Sequence, residues 1–173
     1  MINKMAVVRI TSYTRHRGEA KASIRYITHR PGKDGRVTSR PLYTFDGEVS
    51  KLDAYQMIDE AKRGANFFRI VISPDPEKED ASKDLYLWQI TEQTMLTLEE
   101  RLKIHVPFVA AEHDDHTGNR HVHLLAFAKA RIEKQDLKAL RDAATDAALV
   151  QRQERNLARE AKLQQIEEAQ WAY

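Results

Sequence analysis

The chain has 173 residues, with 28 Lys and Arg against 26 Asp and Glu, 7 His and no Cys. This length suits one domain that can bury a core without disulfides. The lack of Cys excludes cysteine nucleophiles and zinc sites that use Cys. No apolar run approaches the roughly 18 residues that span a bilayer. The first residues also lack the apolar segment of a secretory signal, so we expect a cytoplasmic protein without membrane insertion.

Positive charge is concentrated at the N-terminal end of the chain. Residues 1–40 contain ten Lys and Arg but only two Asp and Glu, a net charge of +8, whereas the remaining 133 residues carry −6. Such an asymmetry indicates a surface that binds a polyanion. The alternative is a solvated basic surface that has no partner.

The N-terminal part predicts a strand, a helix and a loop. β-Branched and apolar residues predict a strand over residues 5–13, MAVVRITSY. Apolar residues at helical spacing predict a short helix over 19–30, which Pro31 and Gly32 end. A polar loop follows over 31–40, and the segment 41–47 is predicted as a short strand or an ordered loop.

The middle of the chain predicts two helices on either side of a strand. Ser50 suits the N-cap of a helix over 50–64. The sequence NFFRIVIS predicts a strand over 66–73, and the charged segment 74–82 is predicted as a linker. A second long helix is predicted over 84–102.

The C-terminal part predicts a hairpin and a long helix. Strands are predicted over 106–114 and 120–130, and the Gly-containing turn between them is short enough for antiparallel pairing. A charged, Ala-rich helix is predicted over 135–173. The element order favours the α+β class, with a mostly antiparallel central sheet, helices packed on one face and a long C-terminal helix. We therefore predict a catalytic unit at 1–134 and a helical extension at 135–173.

Four of the seven histidines lie in one stretch, EHDDHTGNRHVHLLAFA, at residues 112–128. His121 and His123 are two apart on a predicted strand, so they project from the same face. If the hairpin pairs His113 with His121, His113 joins them, and three imidazoles then suit a divalent metal. His116, in the turn, is the alternative to His113. Asp115 is better placed to hold an imidazole N–H than to bind the metal itself.

A candidate nucleophile lies in the most cationic segment, KASIRYITHR, where Tyr26 adjoins Arg25. A phenol with a pKa near 10 is a poor nucleophile at neutral pH unless cations or a metal stabilise its anion. It can then attack a phosphodiester and form a covalent intermediate. Tyr13 and Tyr43 are in comparably basic surroundings and remain alternatives, and a structural role in the core is the other interpretation of Tyr26.

Three motifs together, KASIRYITHRPG, FFRIVISPD and EHDDHTGNRHVHLLAFA, resemble the catalytic domain of plasmid-mobilisation relaxases of the HUH endonuclease superfamily, with a MobA/MobL-like pattern. The resemblance covers roughly residues 3–130. It implies that Tyr26 is the nucleophile and that His113, His121 and His123 hold the metal. One departure is Arg120, which stands where many relatives have proline before His-x-His.

The resemblance implies a metal-dependent enzyme that nicks and rejoins single-stranded DNA at an origin of transfer through a 5′-phosphotyrosyl link. It implies Mn²⁺ or Mg²⁺ as cofactor and accessory mobilisation proteins as partners. All-imidazole ligation suits manganese better than magnesium, and zinc is expected to bind tightly and inhibit. We expect phosphate contacts from basic side chains in or near the cationic segment and the triad: Lys21, Arg25, Arg30, Arg36, Arg69 and Arg120.

Two other functions fit the same residues. Three imidazoles also suit a small metallohydrolase that acts through activated water, in which case Tyr26 is structural. The basic N-terminal segment also suits a nucleic-acid-binding module without catalysis.

Overall fold

A computed structural model describes residues 6–114 and 118–171 of the chain. Its strands are β1 (Val7–Thr14), β2 (Leu42–Thr44), β3 (Gly47–Val49), β4 (Asn66–Ser73), β5 (Phe108–His113) and β6 (His121–Ala128). Its helices are α1 (Arg17–His29), α2 (Lys51–Glu60), α3 (Leu87–Leu102) and α4 (Lys134–Trp171). The α+β class, the antiparallel sheet and the long C-terminal helix are confirmed.

The described strands form one antiparallel sheet in the order β1-β4-β6-β5-β2-β3. β4 and β6 are adjacent interior strands, and their residues are buried on both faces over most of their length. This burial explains their near-continuous apolar sequences, NFFRIVIS and HVHLLAFA. Strands β5 and β6 are both interior strands of this sheet.

Helices cover both faces of the sheet, whereas the sequence led us to expect them on one. Side chains of α1 and α2, such as Ile24 and Ile58, pack against Phe67 and Leu125 on what we call the α1–α2 face. Side chains of α3 and α4 pack against the opposite side chains of the same strands on the α3–α4 face. The strands β2, β4, β5 and β6 thus contribute alternate residues to two separate cores.

The segment 41–47, predicted as a short strand or an ordered loop, contains β2 and the first residue of β3. β2 and β3 pair across a tight turn in which Thr44 is opposite Gly47, and Gly47 has a φ of +106°, a conformation that glycine adopts without strain. Helix α2 begins at the expected N-cap, because Ser50 Oγ accepts a hydrogen bond from the Asp53 backbone N–H and the Asp53 carboxylate accepts one from the Ser50 N–H.

Helix α4 packs on the sheet only over its first half. Leu140, Ala144 and Ala148 are buried in the core of the α3–α4 face, and Gln151 is the last buried residue of the helix. Almost every later side chain of the described helix is exposed. None of the described helices is long and apolar enough to cross a membrane. The division of the chain at residue 134 stays a prediction.

Candidate metal centre and active site

The β5–β6 hairpin brings the three predicted histidines to one face. His113 is directly opposite His121, and His123 is opposite Ala111, so the expected register is confirmed. Because side chains alternate along a strand, His113, His121 and His123 all project from the α1–α2 face. His113 is fully buried, and the other two are partly exposed.

The distances between the imidazoles fit a shared ion. The ring centroids of His113 are 4.6 Å from His123 and 5.5 Å from His121, and those of His121 and His123 are 4.9 Å apart. One ligand nitrogen from each ring lies within 4.8 Å of the other two. The His121 and His123 Nε2 atoms are 3.2 Å apart. Two nitrogens at about 2.1 Å from one ion are separated by about 3.0–3.4 Å, so this triad could hold a metal ion.

Backbone carbonyls orient two of the rings. His113 Nε2 is 2.8 Å from the carbonyl oxygen of Ile27, and His121 Nδ1 is 3.1 Å from that of Asn119. A carbonyl can only accept, so these nitrogens carry the hydrogens and the metal-binding lone pairs are on His113 Nδ1 and His121 Nε2. This tautomer pattern is the one that three neutral ligands require.

The environment of His123 keeps it neutral. Burial lowers the pKa of His123 to about 3, and the neighbouring His113 and His121 and the guanidinium groups of Arg30 and Arg40 act in the same direction. A neutral imidazole is the form that binds a metal ion. The donor set of three neutral nitrogens fits manganese and later transition metals better than magnesium.

Tyr26 lies at the C-terminal end of α1, beside the triad. Its ring meets the ring of His123 edge-on, with centroids 6.3 Å apart and an angle of 89°. The Arg30 guanidinium lies 5.5 Å from the centre of the Tyr26 ring. About half of the Tyr26 residue is exposed (51%), so it is not sealed in the core beneath the triad. The neighbouring Ile27 carbonyl binds His113, which ties the end of the helix to the hairpin.

The two alternative tyrosines lie on the α3–α4 face. Tyr13 is opposite Phe68 on β4, and their ring centroids are 5.8 Å apart. Tyr43 is buried, and its hydroxyl is 3.3 Å from Thr91 Oγ1 on α3. Burial raises the pKa of Tyr43, which disfavours the phenolate. Of the three candidates, Tyr26 alone lies next to the histidines.

Two small cavities flank His123 on the α1–α2 face. One, of about 260 Å³, is lined by Tyr26, Arg69 and His123. The other, of about 380 Å³, is lined by Arg9, Arg30 and both His121 and His123. Arg69 pairs with Leu125, two residues beyond His123, while Val71 pairs with both Arg9 and His123. Arg9 is therefore level with His123, two strands away across the sheet, and Arg69 lies beside the position two residues further along β6.

The structure brings some of the predicted basic residues to the triad and not others. Arg30 and Arg69 are beside it, with Arg69 Nε donating to Ser23 Oγ at 2.6 Å. Lys21 instead pairs with Asp59 on α2 at 2.7 Å. Arg25 is an exposed residue of α1, and Arg36 is exposed in the loop 31–40, 3.7 Å from Asp34.

Arg120 is engaged away from the triad. Its guanidinium makes two hydrogen bonds to the Asp80 carboxylate, at 2.8 and 2.9 Å, and a third to the Leu85 carbonyl. Both side chains of the ion pair are largely buried. We therefore leave Arg120 out of the proposed phosphate-binding set. Asp115 and His116 lie outside the described residues.

Sequence reasoning missed two arginines near the triad. Arg9 is an exposed residue in the alternating pattern of β1. This pattern indicates a position near the triad only once β1 is known to lie beside β4. Arg40 is nearly buried (8% exposed) and donates from Nη1 to the Arg30 carbonyl at 2.9 Å. A charged residue at the end of a Gly-rich loop gives no such signal in the sequence.

Comparisons of the chain with protein-family models, with curated proteins and with solved structures give no match. The function is therefore argued from the motifs of the chain and from the geometry of the site itself.

Proposed function

We propose that the protein is a metal-dependent relaxase that nicks and rejoins single-stranded DNA through a covalent 5′-phosphotyrosyl intermediate. The observation that carries this proposal is the edge-on placement of the Tyr26 ring against His123, within a group of three imidazoles. A metallohydrolase acting through water needs the imidazoles but no adjacent phenol. The biological role would be initiation of conjugative DNA mobilisation at an origin of transfer, in the cytoplasm and with accessory mobilisation proteins.

His113, His121 and His123 would hold Mn²⁺ or Mg²⁺, of which the nitrogen donors favour Mn²⁺. Such an ion, when bound, supplies positive charge that offsets the negative charge of a phosphodiester. The remaining contributions come from side chains. Arg30 and Arg69, with Arg9, would bind the DNA backbone in the two cavities that flank His123. The hydrogen bonds of Ile27 and Asn119 keep two of the rings in their orientation.

Tyr26 would supply the nucleophile. Its oxygen forms a bond to the phosphorus while the bond between phosphorus and the 3′ oxygen breaks. The phenolic proton is lost and the departing 3′ oxygen gains one, so one phosphodiester linkage replaces another. The reverse attack by the 3′-hydroxyl rejoins the strand, and little free energy separates the two states. The Arg30 guanidinium, 5.5 Å from the centre of the Tyr26 ring, would offset part of the negative charge of the phosphate at this position.

A gel assay tests the proposal. The protein is incubated with Mn²⁺ and 5′- or 3′-labelled single strands from an origin of transfer, and denaturing electrophoresis detects a covalent adduct. We expect an adduct that keeps the 3′ label, and a loss of about 10³-fold or more in Tyr26→Phe. Tyr13→Phe is the matched control, since Tyr13 is also exposed but lies on the other face.

The other outcomes identify the alternatives. Cleavage without an adduct would support a metallohydrolase. Binding without cleavage would support a nucleic-acid-binding module. An adduct that Tyr26→Phe retains would show that the nucleophile is another residue.

A further inference from the structure

A cavity of about 480 Å³ opens near the end of the sheet, between β2, the C-terminal end of β5 and the start of α3. It is lined by the chain segment 38–43 and by Trp88, Glu112 and Asp114, among others. Glu112 is opposite Val122, whose side chain is in the core of the α3–α4 face. The cavity is therefore distinct from the triad, yet Asp114 directly follows the candidate ligand His113.

Trp88 provides a fixed aromatic surface in this cavity. Its Nε1 donates to the Thr44 carbonyl at 3.4 Å, and its ring meets the Tyr43 ring edge-on, with centroids 6.4 Å apart. Even so, Trp88 is 41% exposed. A tryptophan that is held in place but still accessible can stack on a planar ligand without a large loss of side-chain entropy.

The charge of the cavity is the opposite of that around the triad. Three of its lining residues are acidic, Glu48, Glu112 and Asp114, against one arginine, Arg40, which is nearly buried. The Glu112 carboxylate accepts a hydrogen bond from the Trp88 backbone N–H, which fixes it at the start of α3. Such a cavity repels phosphate and favours a group that donates hydrogen bonds to a carboxylate.

These observations fit a nucleobase with adjacent donors. On its Watson–Crick edge, guanine carries the N1–H and the N2 amino group side by side, which match the two oxygens of a carboxylate. Cytosine and adenine offer a single amino group there, and thymine offers one N–H. Recognition of an unpaired base commonly combines stacking with hydrogen bonds to this edge.

Building on the proposed function, we propose that this cavity takes one guanine of the DNA strand next to the nick. The base stacks on Trp88, and Glu112 accepts its two donors. The cationic α1–α2 face then holds the phosphates, while the acidic cavity across the end of the sheet selects the base. Sequence selectivity and catalysis would use separate sets of residues.

Tryptophan fluorescence tests the base preference without metal or cleavage. A Trp171→Phe background leaves Trp88 as the only tryptophan, since the chain has two. The trinucleotides TGT and TIT differ by the N2 amino group of the central base, which inosine lacks. We expect TGT to quench Trp88 and to bind about tenfold more tightly than TIT, because one hydrogen bond to a charged acceptor is lost. TAT and TCT should bind as weakly as TIT or more weakly.

The variant Glu112→Gln tests whether the Glu112 carboxylate distinguishes guanine from inosine. Its amide oxygen can still accept from the Trp88 N–H, so the start of α3 keeps its partner, but the negative acceptor is lost. We expect TGT and TIT to bind equally in Glu112→Gln and to keep their tenfold difference in the matched control Glu48→Gln. Thermal unfolding of each variant shows whether it is folded.

Two results would overturn the proposal. One is equal binding of TGT and TIT by the parent protein. The other is stronger quenching by an arginine-containing tripeptide than by TGT, which would mean that the cavity takes a cationic side chain. A guanine preference without any covalent adduct would leave this inference in place and contradict the proposed strand transfer. An adduct without guanine preference would support the proposed strand transfer and contradict this inference.

Discussion

The two faces of the sheet carry the same kinds of polar residue in opposite roles. On the α1–α2 face, Tyr26 is half exposed and adjoins Arg30 and the triad. On the α3–α4 face, Tyr43 is buried against Thr91, and burial raises its pKa. One tyrosine is half exposed, and the other is a packing element with a hydrogen-bonded hydroxyl. Burial and partners, and not residue type, distinguish the two.

The arginines show the same contrast. Arg30 and Arg69 line cavities beside His123, where a phosphate could reach them. Arg120 is close to the triad in sequence, but its guanidinium donates hydrogen bonds to both carboxylate oxygens of Asp80. The first group can contribute to binding, whereas the second contributes to the stability of the fold.

The largest effect should come from the histidines of the α1–α2 face. Replacing His123 by Ala removes one of three nitrogens and should reduce Mn²⁺ affinity by more than about 100-fold, above the loss typical of an outer-shell partner. Isothermal titration with Mn²⁺ measures this loss. His121→Ala should behave alike.

His105→Ala is the matched control for that titration. His105 is exposed and pairs with Glu99, just beyond the end of α3. Its replacement should leave Mn²⁺ affinity unchanged. Equal losses of Mn²⁺ affinity in His105→Ala and His123→Ala would mean that the triad is not the binding site. The assignment of the ion to the α1–α2 face would then be wrong.

A smaller effect should separate the two classes of arginine. Arg120→Ala leaves the Asp80 carboxylate buried without its cationic partner, which should cost about 3 kcal/mol of unfolding free energy. It should leave the salt dependence of single-strand binding unchanged. Urea unfolding and fluorescence anisotropy at several salt concentrations measure the two quantities.

Arg30→Ala should give the opposite result. Its unfolding free energy should change little, while the log–log slope of affinity against salt should become shallower by about 0.7, the value for one phosphate contact to a single strand. A larger loss of unfolding free energy than in Arg120→Ala would contradict the assignment of Arg30 to the binding surface. An unchanged salt slope would contradict it as well.

The sequence was most informative about the β5–β6 hairpin. The two-residue period of a strand and the short turn predicted that the triad forms if His113 pairs with His121, and the structure has this register. The strand over 66–73 was likewise predicted with its observed bounds, because its apolar run ends at Pro74. Local rules of alternation and turn length were sufficient for these elements.

Local patterns could not reveal what depends on the order of strands. β1 and β4 are about fifty residues apart in sequence, so the position of Arg9 beside the triad follows only from their pairing. Placement of helices on both faces depends on crossovers that periodicity does not encode. The partner of Arg120 is a residue of the segment 74–82, predicted only as a linker, whose Glu79 and Asp80 are almost fully buried.

The segment 74–82 also predicts that stability depends on pH, because it contains a buried carboxyl group. Glu79 is completely buried, and its Oε1 has no hydrogen-bond partner among the described residues. Burial raises its pKa from 4.5 to about 7, Asp75 and Asp80 act in the same direction, and the hydrogen bond from the Asp75 N–H opposes them. Its backbone carbonyl accepts two hydrogen bonds from Arg152 of α4.

The unfolding free energy of the protein should therefore decrease with rising pH. A raised carboxyl pKa means that the folded protein binds this proton more tightly than the unfolded chain does. The stabilisation is fully present below about pH 4.5 and is lost as the pH rises through about 7, by up to about 3 kcal/mol. Glu79→Gln, whose amide oxygen can still accept from Asp75, should lack this loss. Urea unfolding at pH 5 and pH 8 should show that the variant gains stability relative to the parent as the pH rises. A difference that is the same at both pH values would mean that Glu79 does not titrate in this range.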